Sequence, residues 1–249
     1  MLIKLIIKNI YNFKNKKMDF EKLPDDDKMN DDDPVPIEYK MILVGDTGVG
    51  KTSLFKKITS NTFNPHNVAT IGIDRKTLEL EITIKKNEEE IKKNININLV
   101  DTAGQERYKS VTQSYFKGSN GVLLLYNICD KKSFMHVKDW LDIVRNMIGN
   151  YEHNKYIVFL MGTKLDLVEK EESMREVTED EANNLCEEND MIWYGECSNK
   201  DFTDENYKKI FAKFAQKMYE VIGYNKSARD TVASLTTQKT KKHKKKCHC

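Results

Sequence analysis

The sequence predicts an α/β fold: a single, mostly parallel, six-stranded sheet with helices on both faces. Between Glu38 and Gly223, short apolar runs alternate with longer amphipathic stretches, the pattern of strands joined by crossover helices. Several of those runs are apolar without alternation, as strands covered on both faces must be. No run of 18 uncharged apolar residues occurs and the mean hydropathy is -0.65, so a membrane-spanning helix is excluded.

The elements follow in order. Met41, Ile42, Leu43 and Val44 form the first buried strand, and residues 51–59 a helix. Leu78, Leu80, Ile82 and Ile84 alternate with Glu79, Glu81 and Thr83, and Ile95, Ile97 and Leu99 alternate with Asn96 and Asn98. That period of two marks half-exposed strands. The charged stretch 85–93 between them reads as a hairpin tip and solvated loop. Residues 121–126, 156–161 and 191–194 are further buried strands. Residues 133–148, 178–189 and 204–222 read as helices, with Ser133 and Thr178 as N-caps. The core domain is therefore expected over residues 38–223. Residues 1–37 are expected to be a disordered or weakly amphipathic extension: Lys4 and Lys8 interrupt its apolar start, which does not suit a secretory signal.

The chain has 249 residues, with 41 Lys and Arg against 39 Asp and Glu. That near balance conceals an acidic cluster, Asp25 to Asp27 and Asp31 to Asp33, and a basic one within residues 239–246. Five scattered cysteines, two of them at the end of the chain, do not make a disulfide framework and suit a reducing compartment.

The strongest chemical signal is Gly45-Asp46-Thr47-Gly48-Val49-Gly50-Lys51-Thr52, followed by Ser53. It fits G-x-x-x-x-G-K-[ST] between a predicted strand and a predicted helix. Glycines let successive backbone N–H groups curl around phosphate oxygens, and the helix N-terminus adds its positive end. Lys51 reaches the β and γ phosphates, and the Thr52 hydroxyl can bind magnesium. The fold is thereby a P-loop NTPase, with the choice of base still open. Asp101, Gly104 and Gln105 follow at the end of the strand 95–100, where an Asp can hold magnesium through water, a Gly can offer its N–H to the γ-phosphate and a Gln can orient the attacking water. In Gly162-Thr163-Lys164-Leu165-Asp166, the Asp166 carboxylate can accept the paired N1–H and exocyclic amine of guanine, a pair adenine lacks. Ser198, Asn199 and Lys200 end the next strand and can close over the base.

In this order and spacing the motifs resemble the Ras superfamily of small GTPases, and within it the Rab family, over residues 38–223. The resemblance implies GTP/GDP binding with Mg2+, GTP hydrolysis and a switch: Thr70 matches the threonine whose hydroxyl binds the metal and whose backbone meets the γ-phosphate. Catalytic roles fall to Gln105, Lys51 and Thr70, and metal ligation to Thr52, Thr70 and Asp101. It also implies exchange factors, GTPase-activating proteins, a dissociation inhibitor and effectors as partners, and no nucleic acid. Ile71-Gly72-Ile73-Asp74, Gln105-Glu106-Arg107-Tyr108, Tyr115-Phe116-Lys117-Gly118 and the ending Cys247-His248-Cys249 favour Rab. Gly162 to Asp166 with Glu196-Cys197-Ser198 looks like Rho, but the helical insert of Rho after Asp166 is missing.

Four departures stand out. Rabs usually carry Asn where Thr163 stands and Ala where Asn199 stands; a threonine hydroxyl can still donate toward guanine, and a backbone N–H suffices at Asn199. Arg75 and Val100 replace two surface aromatics by which many Rabs meet effectors, leaving Tyr115 of the three and predicting unusual effectors. The tail 224–249 is a flexible spacer, then Lys241 to Lys246, then Cys247 and Cys249, which the resemblance implies are geranylgeranylated. Two lipid chains plus a basic run hold a protein at an anionic membrane where one chain does not. The expected place is the cytoplasmic face of an intracellular membrane, in exchange with cytosol. The competing readings are a Rho-like role, a nucleotide-binding module without turnover and an ATP-directed P-loop enzyme; for the tail they are a nuclear-import or nucleic-acid patch and a metal site.

Overall fold

A computed structural model describes residues 36–62, 73–86, 89–102, 115–149 and 155–223. The strands are β1 (Ile37–Val44), β2 (Ile73–Lys86), β3 (Glu89–Thr102), β4 (Gly121–Asn127), β5 (Ile157–Thr163) and β6 (Ile192–Cys197). The helices are α1 (Lys51–Ser60), α2 (Lys131–Met135), α3 (Val137–Gly149), α4 (Leu165–Lys170), α5 (Glu179–Glu188) and α6 (Asp204–Ile222). The six strands form one sheet in the order β2-β3-β1-β4-β5-β6. Only β2 runs antiparallel to its neighbour, so the sheet is mostly parallel, as the sequence implies.

Two apolar layers explain the unbroken runs. Tyr39, Met41 and Leu43 of β1 point to the face covered by α1 and α6, where Leu54, Phe55, Ile58, Phe211, Phe214 and Met218 are buried. Ile42 and Val44 point to the other face, under Trp140, Leu141 and Val144 of α3 and Leu185 of α5. Strands β4 and β5 divide their residues in the same way. Leu78, Leu80, Ile82 and Ile84 of β2 are buried on the first face while Glu79 and Glu81 are exposed, which matches the period of two in the sequence.

The hairpin read over residues 85–93 is present, but residues 85–86 and 89–93 are strand and not loop, while 87–88 lie outside the described residues. The β2–β3 ladder continues through Ile84 opposite Ile91, Thr83 opposite Lys92 and Lys85 opposite Glu90, as far as Lys86 opposite Glu89. The charges lie on strands with one solvated face: Lys92 reaches Glu81 at 2.7 Å while Ile91 packs against the core. A charge run on such a strand is compatible with pairing because cross-strand ions of opposite sign stabilise it.

The reading of residues 133–148 as one helix capped by Ser133 is also corrected. Asp130 is the cap, its side chain accepting from the N–H groups of Lys132 and Ser133. Ser133 is buried inside the turn, its Oγ accepting from Asn127 N at 3.0 Å and donating to the Asp130 carbonyl at 2.8 Å. The helical stretch divides at His136 into α2 and α3. Thr178, by contrast, caps α5 as expected, in a reciprocal capping box with Glu181.

Candidate functional site

The five parallel strands end along one edge of the sheet, at Val44, Thr102, Asn127, Thr163 and Cys197. Loops that leave the carboxyl ends of parallel strands converge on a common crevice. Residues 45–50, 164–166 and 198–201 are brought together there. The Thr102 hydroxyl donates to the Leu43 carbonyl at 2.8 Å and pins the end of β3 beside that of β1.

The phosphate-loop motif has the backbone that an anion cradle requires. Gly45 has φ +139°, and a Cβ there would lie 2.2 Å from the Leu125 carbonyl oxygen, so no other residue fits. Gly50 takes the N-cap position of α1 with φ +104° and no side chain capping the helix. Lys51 is buried, and its ammonium donates to the carbonyls of Gly45 at 2.6 Å and Asp46 at 3.0 Å. The motif's cation is thus tucked over its own loop, where phosphate oxygens are expected.

Three contacts from outside hold this loop. The Asp46 carboxylate is met by His136 Nδ1 at 2.6 Å and by Trp140 Nε1 at 2.8 Å. The Thr163 hydroxyl, fully buried, is shared between the carbonyls of Val49 at 2.6 Å and Tyr126 at 2.8 Å. The Asn199 amide donates to the Gly50 carbonyl at 3.0 Å. Nothing local in the sequence points to His136 or Trp140. Both lie some ninety residues from Asp46, one at an unforeseen helix junction and the other within an ordinary amphipathic pattern. The sequence reading aimed the Thr163 hydroxyl at guanine; in the structure it faces the phosphate loop.

Asp101 fits a cation ligand. Its carboxylate is buried, and neither oxygen has a hydrogen-bond partner of ordinary geometry among the described residues. Desolvation lifts its pKa to about 6, although the Thr52 hydroxyl nearby and the Lys51 ammonium draw it downward. An unpaired buried carboxylate is costly unless a cation compensates it. Oxygen donors such as Asp101 and Thr52 suit magnesium. Thr70, Gly104 and Gln105 lie outside the described residues. Ile73 at the start of β2 is the register partner of Thr102 at the end of β3.

On the far side of the crevice, Lys164 has a left-handed backbone, φ 67° and ψ 33°, and Asp166 sits half-buried in the first turn of α4. Lys164 and Asp166 do not form an ion pair with each other, which sets aside the simplest structural explanation for their presence. Ser198 donates to Asp201 at 2.7 Å and closes the turn after β6, which leaves Lys200 exposed. That turn is held from behind by a bidentate pair, Arg175 to Glu196 at 2.6 and 2.7 Å, with the Glu196 side chain almost fully buried. Burial raises the Cys197 thiol well above its ordinary pKa, which makes it a packing residue and not a nucleophile.

The outer face of β1–β3–β2 carries the two departures in surface residues. Arg75 is exposed, whereas Val100 is buried beneath the sheet surface. Between them lies a hollow of about 340 Å3 lined by Lys40, Arg75, Lys76, Thr77, Asn98 and Val100. Lys40 is anchored there to the carbonyls of Tyr115 at 2.6 Å and Lys117 at 2.8 Å.

The sequence model of the Ras family matches residues 40–220. Ras-related protein Rab-30 of Homo sapiens is 38% identical over 180 residues, covering 72% of this chain and 79% of the relative. Ras-related protein Rab-1 of Theileria parva is 35% identical over 203 residues, covering 80% and 83%. Ras-related protein RabC of Dictyostelium discoideum is 38% identical over 152 residues, covering 61% and 70%.

The buried Asp101 gives a pH signature. A carboxyl whose pKa is higher folded than unfolded binds its proton more tightly when folded. Stability is therefore gained as pH falls from about 6 toward 4 and lost as it rises. Urea unfolding with chelator and without nucleotide should show this gain, on the order of 2–3 kcal/mol, and Asp101→Asn should remove most of it. An identical pH dependence in the variant would mean that Asp101 is not held in this unpaired state.

Proposed function

The chain belongs to the Ras family and is a Rab-like small GTPase that hydrolyses GTP as a switch in vesicle trafficking; with that as premise, we propose how its own residues carry the activity. The phosphates lie in the loop 45–52, with the backbone N–H groups of that loop and the start of α1 pointing at them. Lys51 shifts its ammonium from the Gly45 and Asp46 carbonyls to the β and γ phosphates. Asp166 reads guanine, with Lys164 and residues 198–200 enclosing the ring. Thr52, Asp101 and Thr70 hold magnesium, which when bound supplies positive charge to the phosphate oxygens.

Hydrolysis is in-line attack of water on the γ-phosphorus, so the work is positioning and charge stabilisation. Gln105 orients the water, and Lys51 stabilises charge moving toward the bridging oxygen. Thr47 stands near the γ-phosphate, where its bulk slows intrinsic turnover. A GTPase-activating partner supplies an arginine or its equivalent. Loss of the γ-phosphate releases Thr70 and the loop of Gly104, so that segments 63–72 and 103–114 relax together. The observation that carries this reading is the phosphate loop itself, with Gly45 and Gly50 in backbones only glycine takes readily and a buried lysine across it.

The domain is bounded at residues 38 and 223, with 1–37 and 224–249 as extensions. Cys247 and Cys249 carry prenyl groups that, with the basic run before them, bring the protein to the cytoplasmic face of an intracellular membrane; a dissociation inhibitor returns it to cytosol. No helix among the described residues is long and apolar enough to cross a membrane. Effectors that meet the β1–β3–β2 face find a cationic hollow in place of an aromatic patch, which excludes partners built for the latter.

Single-turnover assays with bound GTP and magnesium should show slow phosphate release that Gln105→Leu lowers at least about tenfold, in line with the loss of a water-positioning group. No release from the parent chain would favour a binding module, and an unchanged rate in the variant would remove Gln105 from the mechanism. The native C-terminal peptide should carry two isoprenoid masses; free thiols at Cys247 and Cys249 would end the lipid assignment.

A further inference from the structure

Thr163 and Asn199 come from different strands, β5 and the turn after β6, yet their side chains end on consecutive carbonyls of the phosphate loop, Val49 and Gly50. Both are almost fully buried. A Cβ built on Gly50 would lie 2.8 Å from Asn199 Nδ2 and 3.9 Å from Thr163 Oγ1, so the two side chains flank one point of the loop. At the other end of the Asn199 amide, Oδ1 accepts weakly from the Cys197 thiol at 3.6 Å, an arrangement that matches Nδ2 donating to Gly50 at 3.0 Å. The Gly50 carbonyl that Nδ2 meets also accepts the first N–H bond of α1, from Leu54 at 2.9 Å.

We propose that Asn199 is a positioning residue for nucleotide retention: its amide, paired with the small Thr163, straps the base-reading turn 198–200 to the start of α1, so that the two halves of the nucleotide site open together. The inference rests on the reading of this crevice as a guanine-nucleotide site and adds a residue to it. Thr163 is too short to span both carbonyls, and its single hydroxyl proton is shared between Val49 and Tyr126. The Gly50 contact must therefore come from elsewhere, and Asn199 supplies it. The amide that the resemblance leads one to expect at 163 has in effect moved across the loop to 199. An asparagine at 163 would compete with Asn199 for the same space, whereas the exchanged pair, Asn at 163 with Ala at 199, would refill it with one amide.

The test is release of a fluorescent GDP analogue from the full chain in magnesium, chased with excess GDP. A lost hydrogen bond of this kind predicts roughly fivefold faster release for Asn199→Ala. Asn199→Asp is isosteric and keeps the acceptor for Cys197 while losing the donor, so it should release at least as fast as Asn199→Ala; its buried carboxylate should also lower the unfolding midpoint of the magnesium- and nucleotide-free chain more than Asn199→Ala does. Thr163→Asn alone should also accelerate release. The double variant Thr163→Asn with Asn199→Ala should return to within about twofold of the parent, a rescue that two independent packing defects would not give. Parental release rates in both Asn199 variants, or a double variant as fast as the singles combined, would overturn the strap while leaving the guanine site standing. A parent chain that fails to retain GDP at all would remove the underlying reading and the strap with it.

Discussion

Backbone N–H groups grip an anion only if the loop that carries them is already bent and cannot relax, because refolding the loop around each ligand would consume the binding energy. In this protein the bend is fixed at both ends by sterics. Gly45 is pressed against the Leu125 carbonyl, and Gly50 turns the chain into α1 with a positive φ. Side chains from three other parts of the fold then hold the middle: His136 and Trp140 on Asp46, Thr163 on Val49, and Asn199 on Gly50. The sheet exists, functionally, to bring those distant residues to one edge.

The magnitudes separate what matters from what merely occurs. Exposed pairs such as Lys209–Glu205 are worth at most about 1 kcal/mol. Arg175–Glu196 is different, since Glu196 is buried and removing either partner leaves a charge without compensation, at a cost on the order of 3–5 kcal/mol. That pair lies directly behind the turn that carries Ser198 and Asn199. Asp101 is the counterexample. Its carboxylate is buried with no hydrogen bond of ordinary geometry among the described residues, only the Thr52 hydroxyl and Lys51 ammonium nearby, a state that disfavours the empty site and favours a cation in it. Stability is given up at Asp101 for binding, and the rigid surroundings tolerate the loss.

How far the sequence could be read depended on whether the deciding contact was local. Strands covered on both faces were legible because residues 41–44 and 121–126 are apolar throughout, and Thr178 was legible because a capping box needs only Glu181 three residues on. The hairpin was legible but its loop was drawn too long, because lysines and glutamates on a one-sided strand look like a loop until their partners are known. The start of α2 failed because Asp130 and Ser133 are both plausible caps, and only packing buries the serine. Residue types at the site were legible from motif spacing, but not their contacts. His136 and Trp140 meet Asp46 across ninety residues or more, and Thr163 meets Val49 across 114. Thr70, Gln105, Cys247 and Cys249 rest on motif and resemblance, since they lie outside the described residues.

The central claim is that one crevice grips phosphates through the loop 45–52 and reads guanine through Asp166. Its most direct test is competition calorimetry of the purified chain with magnesium, titrating GDP against ADP and repeating both with Asp166→Asn. The account predicts tight binding of GDP, at least about a thousandfold weaker binding of ADP, and loss of most of that preference in the variant, as expected where a carboxylate meets two donors present in only one base. Equal affinity for the two nucleotides in the parent chain would contradict it.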